Sequence, residues 1–179
     1  MGLGNNQDGL TAAYIDQTAV IRVEGRGSFK IGPPMKQFVH QIVESNSASR
    51  ILIDMSDCIG MDSTFMGVLA GLSYFIKDKP GVSLKLINLS SKNQKLLITL
   101  GVDRVVDYSL SATAGEETLV ANQDKNLQPL DAGFMDKLEA AKATLEAHET
   151  LANMSSENQV RFQSVLELLQ NDVRNLSHS

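Results

Sequence analysis

The stretch Ile51–Leu72, ILIDMSDCIGMDSTFMGVLAGL, decides the fold of this 179-residue chain. Together with Arg50, its first residues form the run RILIDM, which is nearly all apolar and is typical of a strand covered on both faces of a sheet. A polar loop follows, and then apolar residues at helical spacing predict a helix with Ser63 or Asp62 as its N-cap. The buried stripe of that helix comprises Phe65, Val68, Leu69, Leu72 and Ile76.

Strand and helix patterns alternate on both sides of this stretch. Pro33-Pro34 predicts the start of one helix, and Ser90 or Ser91 predicts the cap of another that ends at Gly101. Further strands are predicted at Ala19–Val23, with Tyr14-Ile15 as its hairpin partner, at Val82–Ile87 and at Val105-Val106. We therefore predict an α/β fold, a mixed and mainly parallel sheet of four to five strands with helices packed on it.

The last third of the chain has a different character. Residues 109–130 are polar and predict a linker, and residues 131–179 predict an acidic hairpin of two amphipathic helices. The predicted organisation is a flexible N-terminus (1–11), a domain (12–108), the linker and the hairpin. Residues 1–115 carry a net charge of +1 and residues 116–179 a net charge of −6. Because a lone hairpin buries little area, we expect it to pack on the sheet domain, on its copy in a homodimer, or on a partner.

Composition excludes several classes of protein. Hydrophobic residues make up 42% and charged residues 21%, as in ordinary globular proteins. No basic stripe is present, which argues against a nucleic-acid partner, and no apolar run reaches the ~20 residues of a membrane span. The single cysteine, Cys58, excludes an intramolecular disulfide and fits the cytoplasm, where we expect this protein to be.

No catalytic constellation is evident in the sequence. His40, His148 and His178 lack metal-ligand spacing, and each is interpreted as solvated, His148 beside Glu149 of the hairpin. Cys58 has no nearby histidine and is interpreted as an inert small residue. No glycine-rich phosphate loop is present. We therefore predict a protein that is not an enzyme, with no catalytic residue, no metal and no cofactor.

The hydroxyl of Ser63 is the most informative group. At the start of a helix it would lie beside free backbone N–H groups and the positive end of the helix dipole, and this environment accepts a phosphate well. A serine there serves as a cap when bare and as a charge switch when phosphorylated. Taken alone, the local pattern is more typical of a simple cap at Asp62-Ser63, since such caps are common, and both interpretations stay open.

Met61-Asp62-Ser63-Thr64 followed by Gly67-Val68-Leu69, together with the strand order, Lys85–Asn88 and Leu100–Gly101, resembles the STAS family, the sulfate-transporter and anti-sigma-factor-antagonist domain. The resemblance covers about residues 12–108 and implies the STAS fold. In the anti-sigma-factor-antagonist branch it implies phosphorylation of Ser63, with Thr64 as the alternative acceptor. It also implies two partners, a serine kinase of GHKL type that acts as the anti-sigma factor, and a metal-dependent serine phosphatase.

Two features depart from the family pattern. Phe65 stands where the family has a glycine, and the turn at residues 25–28 lacks the family's acidic residue. We predict a partner-binding surface formed by Ser28, Asp62, Ser63, Thr64, Phe65 and Met66. The hypothesis is a non-enzymatic partner switch, like an anti-sigma-factor antagonist, whose binding is turned off by phosphorylation of Ser63. The alternative is a constitutive STAS scaffold, a docking subunit of a lipid-transport or sensory complex, that is not phosphorylated.

Overall fold

The computed structural model describes residues 7–130 and 135–178 of the chain. The strands are β1 (Gly9–Ile15), β2 (Thr18–Gly27), β3 (Arg50–Asp54), β4 (Cys58–Met61), β5 (Ser83–Ile87), β6 (Asp107–Tyr108) and β7 (Gln128–Pro129). The helices are α1 (Gly32–Glu44), α2 (Ser63–Lys77), α3 (Ser91–Leu100), α4 (Ala114–Gln123), α5 (Lys137–Met154) and α6 (Ser156–Ser177), with short 3₁₀ turns at Val102–Arg104 and Asp124–Asn126.

One mixed sheet organises these elements, with its strands in the order β6-β5-β3-β2-β1-β7 and β4 paired to the end of β2. β2, β3, β5 and β6 pair in parallel, whereas β1 is antiparallel to β2 and β7. The β1–β2 hairpin turns at Asp16 and Gln17, whose φ angles of 50° and 65° suit the tight turn of a two-residue loop. The predicted mainly parallel sheet is confirmed, with seven strands instead of four to five.

Both faces of the sheet are covered. Ile21, Ile51 and Ile53 belong to the main core, to which α1, α2 and α3 also contribute. The alternate residues of the strands, Val20, Leu52 and Ile87, form a second cluster covered by Ala112, Leu119 and Val120. β3 is apolar along most of its length because it lies between these two layers.

The segment 109–130 is not the linker that its polarity predicted, because it contains β7 and α4, which covers the second face of the sheet. α4 is fastened by Glu116, whose buried carboxylate accepts a hydrogen bond from Lys85 at 2.8 Å and lies 3.7 Å from Arg50. The hydrogen bond from Lys85 holds the pKa of Glu116 below its ordinary value. Periodicity missed α4 because its two packed apolar residues are adjacent and form no stripe.

The ends of the domain also differ from the prediction. β1 begins at Gly9, within the stretch 1–11 that was predicted to be flexible, and residues 1–6 lie outside the described residues. The last parallel strand is Asp107–Tyr108 and not Val105-Val106, which lies just before it and packs into the core. The folded domain therefore extends beyond the predicted range of 12–108, at both ends.

The two predicted C-terminal helices are present as α5 and α6, which pack against each other. Only Ser155 separates them, and its side chain caps α6 by accepting a hydrogen bond from the Asn158 amide. The predicted first residues of the hairpin, 131–134, lie outside the described residues. Asn158 donates hydrogen bonds to the carbonyls of Leu151 and Leu100, at 2.9 and 2.8 Å, and so ties the hairpin to the end of α3. Of the three packing modes expected for the hairpin, the structure shows packing on the sheet domain.

Candidate functional site

The Ser63 site, defined here as Asp62, Ser63 and Thr64, lies where α2 begins. Asp62 is the N-cap, and its Oδ1 accepts a hydrogen bond from the Phe65 amide at 2.8 Å. Its Oδ2 accepts from the Phe29 amide, also at 2.8 Å, and its own amide donates to the Gly27 carbonyl at 2.9 Å. Asp62 therefore caps the helix as predicted and also joins it to the loop between β2 and α1.

Ser63 is half-buried and points toward the C-terminal hairpin. Its Oγ lies 3.0 Å from Nε2 of His148 in α5. Nδ1 of the same ring lies 2.9 Å from the Thr144 carbonyl oxygen, which can only accept. In the neutral ring Nδ1 is therefore the donor, and Nε2 accepts the hydroxyl proton of Ser63. Within residues 7–130 and 135–178, the Ser63 hydroxyl makes this one hydrogen bond.

His148 is the site residue that the sequence interpretation missed. It is 5% exposed and not solvated, and its ring packs edge-on against Phe162 of α6 with the centroids 5.4 Å apart. Its position offered one signal, since it continues the apolar spacing of Leu145 and Ala152 along one face of α5. His40 is also partly buried and stacks on Phe75, and burial lowers its pKa.

The helices α2 and α5 approach each other at Gly67, one turn beyond Ser63. A β-carbon at Gly67 would lie 2.3 Å from the carbonyl oxygen of Ala147. Glycine is therefore required for this crossing. Beside it, Lys36 of α1 forms an ion pair with Glu146 of α5 at 2.5 Å. The hairpin thus lies directly over the start of α2, next to the Ser63 hydroxyl.

The other residues predicted for the partner surface lie mostly below the surface. Thr64, Phe65, Met66 and Ser28 are buried. The Phe65 ring occupies the space over Gly27, where an added β-carbon would come within 2.6 Å of it, so this departure from the family pattern fills the core. Across the described chain the Ser28 hydroxyl has no hydrogen-bond partner.

Two large apolar side chains that the sequence interpretation did not single out are exposed near Asp62. Phe29, whose amide bonds Asp62, is 54% exposed, and Ile59 of β4 is 56% exposed. Lys92 donates a hydrogen bond to the Ile59 carbonyl at 2.9 Å, and the Lys30 ammonium lies 6.0 Å from the centre of the Phe29 ring. Each of the two exposed apolar side chains therefore has a lysine as neighbour, Lys30 at Phe29 and Lys92 at Ile59.

Other chemistry near the site is limited. Cys58 is buried, and burial raises the pKa of its thiol, which is the opposite of what a nucleophilic cysteine needs. Within the described ranges no group of three or more histidine, cysteine or acidic side chains could hold a metal ion. None of the helices described is both long enough and apolar enough to span a membrane.

No family model matches the chain, and no curated protein matches it in sequence. Its structure is similar to that of the anti-sigma factor antagonist SpoIIAA in its unphosphorylated form, with a TM-score of 0.51 and 16% identity over 63% of this chain and 97% of that one. A Ser→Glu variant of RsbS from Moorella thermoacetica gives a TM-score of 0.52 and 15% identity over 65% of this chain and 97% of that one. The chain therefore has the predicted STAS fold, the fold of anti-sigma factor antagonists, with a helical extension at its C-terminus.

Proposed function

We propose that this protein is a non-enzymatic partner switch of the anti-sigma-factor-antagonist type, and that phosphorylation of Ser63 turns its binding off. The observation that carries the proposal is the place of Ser63, the first residue of α2, directly after the capping Asp62, in a chain with the STAS fold. Thr64 is the alternative acceptor, but its side chain is buried, whereas Ser63 is half-buried. Ser63 is therefore the favoured acceptor.

The partner surface we propose consists of the Ser63 site with Phe29 and Ile59, the exposed apolar residues near it. Ser28, Phe65 and Met66 would support this surface from below. The proposed partners are a GHKL-type serine kinase that acts as an anti-sigma factor and a metal-dependent serine phosphatase. The switch would operate in the cytoplasm and regulate transcription. Two proteins of this fold support control at a serine. SpoIIAA has a form named as unphosphorylated, and RsbS is represented by a Ser→Glu variant.

Charge explains why phosphorylation would end binding without unfolding the protein. A phosphate adds about −1.5 to −2 charge next to Asp62. In the free protein the N-terminus of α2 offsets this by about 0.3–1 kcal/mol. Inside a closed interface the dianion must lose water without a prepared cation, which costs several kcal/mol. A loss of about 3–4 kcal/mol lowers the affinity by two to three orders of magnitude.

Mass spectrometry of the protein isolated from its native cells tests the acceptor. Fragment ions of the peptide between Arg50 and Lys77 distinguish phosphate on Ser63 from phosphate on Thr64. We expect phosphate on Ser63 in part of the population. Calorimetry with the kinase of the same cells then compares wild type, Ser63→Ala and Ser63→Asp. We expect the aspartate variant to bind about 100-fold more weakly than the other two. An unphosphorylated Ser63 in all growth states, with equal affinities, would contradict the proposal.

One observation favours the second candidate, a constitutive scaffold. Ser63 is bonded to the buried His148, which is what a purely structural serine would do. In that case Asp62 and Ser63 only fix the helices, and the chain serves as a docking subunit of a lipid-transport or sensory complex. The same mass spectra separate the two candidates. The homodimer expected through the hairpin stays a prediction, for which Val160 and Leu168 of α6, 76% and 66% exposed, are the available apolar contacts.

A further inference from the structure

The Ser63 site is covered on one side by a segment of the same chain. His148 of α5 is hydrogen-bonded to the Ser63 hydroxyl, and the backbone of Ala147 packs against Gly67, one turn further along α2. At the other end of this contact, Asn158 fastens the hairpin to the Leu100 carbonyl. The hairpin therefore binds the domain as a ligand would, and the hydroxyl of Ser63 is one of the groups it contacts.

We propose that the hairpin of α5 and α6 is an intramolecular ligand of the Ser63 site, docked while Ser63 is unmodified and released when Ser63 is phosphorylated. The inference rests on the proposed function, because it takes Ser63 as the phosphate acceptor. It adds a second effect of the same modification, a change in this chain itself. In the modification a kinase transfers the γ-phosphoryl group of ATP to Ser63 Oγ, ADP leaves, and the hydroxyl proton passes to the base of the kinase.

A phosphate on Ser63 removes a hydrogen bond that the docked hairpin makes to the domain. His148 Nε2 lies 3.0 Å from Ser63 Oγ, and a phosphoryl group on this oxygen replaces the hydroxyl proton that the neutral ring accepts. The ring is held in this position, because its other nitrogen is bonded to the Thr144 carbonyl and the ring packs at a steep angle against Phe162 of α6. A change at Ser63 therefore acts on α5 directly and, through Phe162, on α6.

Charge acts in the same direction. Residues 135–178 contain seven acidic and four basic side chains, so the described hairpin carries a net charge of −3 with histidines neutral. Asp62 adds a carboxylate next to Ser63, and Glu149 follows His148 in the sequence. Lys36, a cation at the contact between the domain and α5, is already paired with Glu146. A phosphoserine beneath the hairpin would therefore add to a negative net charge, which the N-terminus of α2 offsets only in part.

The domain can keep its fold when the hairpin leaves. The large side chains of α2 that are completely buried, Phe65, Leu69 and Leu72, belong to the main core. At the crossing itself α2 presents glycines, with Gly67 against Ala147 and Gly71 facing Thr150. Leu151 of α5 and Phe162 of α6 are buried in the main core as well. Release therefore exposes Leu151 and Phe162 of the hairpin, while Phe65, Leu69 and Leu72 of α2 stay in the core of the domain.

The test uses the full chain with phosphoserine encoded at position 63, compared with the unmodified protein by hydrogen exchange and mass spectrometry. We expect the amides of α5 around residues 143–152 to exchange about tenfold faster in the phosphorylated protein, while those of β3 and β5 keep their protection. Gly67→Ala provides an undocked reference, because its β-carbon meets the Ala147 backbone. Gly71→Ala provides a docked reference, because in the described part of the chain the nearest atom to its β-carbon would be Thr150 Oγ1, at 3.9 Å.

Unchanged or slower exchange in α5 would overturn the inference, the slower case showing that His148 holds the phosphate. Loss of protection in β3 and β5 would overturn it too, because the phosphate would then unfold the domain. These failures are distinct from failure of the proposed function. If the hairpin stays docked in the phosphorylated protein, the release is refuted, but phosphorylation of Ser63 can still turn partner binding off. Absence of phosphate in native cells removes the function but not the release by encoded phosphoserine.

Discussion

Substitution of Gly67 by alanine perturbs the contact between α2 and α5 without touching Ser63 or His148. The added β-carbon would lie 2.3 Å from the carbonyl oxygen of Ala147 and 2.7 Å from its carbonyl carbon. Both atoms belong to the backbone of α5, so no side-chain rotation relieves the overlap. The helix must move away as a whole. The expected result is a folded domain with a loosened or undocked hairpin.

The magnitude follows from a comparison with Gly71→Ala in the same helix. Replacement of glycine by alanine inside a helix stabilises it by about 1 kcal/mol in either position. At Gly71 the nearest atom, Thr150 Oγ1, is 3.9 Å away, so this gain is retained. At Gly67 overpacking costs about 1–3 kcal/mol, and the rigid partner favours the upper end. The free energy of unfolding of Gly67→Ala should therefore be lower than that of Gly71→Ala by about 1–3 kcal/mol.

Urea unfolding followed by circular dichroism gives the stability difference, and limited proteolysis reports the hairpin. We expect Gly67→Ala to be cleaved within α5 or α6 under conditions where wild type and Gly71→Ala resist. If both alanine variants gain the same stability and resist equally, the close approach of α5 to α2 is absent in solution. That result would refute the docking geometry on which the release mechanism depends.

Three further predictions concern the domain itself. Glu116→Gln should lower the stability at neutral pH by about 1–3 kcal/mol because Lys85 loses its charged partner. The pKa of Glu116 is lower in the folded protein than in the unfolded chain, so its carboxylate stabilises the fold above the ordinary glutamate pKa. This stabilisation is lost as the pH falls through the pKa of the folded protein, and in acid wild type and Glu116→Gln should have the same stability in urea titrations. A difference that stays constant with pH would contradict this. Asp62→Ala should lose about 0.5–2 kcal/mol of unfolding free energy through the cap, and Asp62→Asn less, since asparagine also caps; equal losses in urea would contradict the capping role. Phe29→Ser and Ile59→Ser should change stability by less than about 0.5 kcal/mol and weaken kinase binding in calorimetry; unchanged affinity would exclude this surface.

The elements predicted correctly are those whose signals are local. Asp62, Ser90 and Gly101 fulfil their predicted capping roles because a cap depends on a few neighbouring residues. The stripe of α2 is buried throughout because its period of 3.6 residues is long enough to be read. β4 was missed, since a four-residue strand that pairs only with the end of β2 leaves no period in the sequence.

Of the site, the sequence predicted the residues that lie in one short segment. Asp62 and Ser63 follow from the strand, the loop and the start of α2, all within a short segment. His148 meets Ser63 from 85 residues away, and nothing in either segment specifies that contact. Phe29 and Ile59 became visible as a surface only when β2 and β4 were paired. Contacts between distant segments depend on the packing of whole helices, which a single sequence does not reveal.

The strength of hairpin docking decides whether a phosphate can act as its release. Moving an equilibrium from 99:1 to 1:99 takes about 5.5 kcal/mol. Phosphorylation removes the Ser63–His148 hydrogen bond, worth about 0.5–1.5 kcal/mol, and places a dianion beneath α5 at a cost of several more. These two effects together reverse the equilibrium only if the docked state is more stable than the released one by about 2–3 kcal/mol, which is half of the 5.5 kcal/mol. Gly67 against Ala147 contributes little apolar area to this contact, so the apolar part of docking comes from Leu151 and Phe162 of the hairpin, which are buried in the main core. Burial of one such side chain is worth about 1.5–3 kcal/mol, so docking must stay near the value of a single buried side chain for the phosphate to release the hairpin.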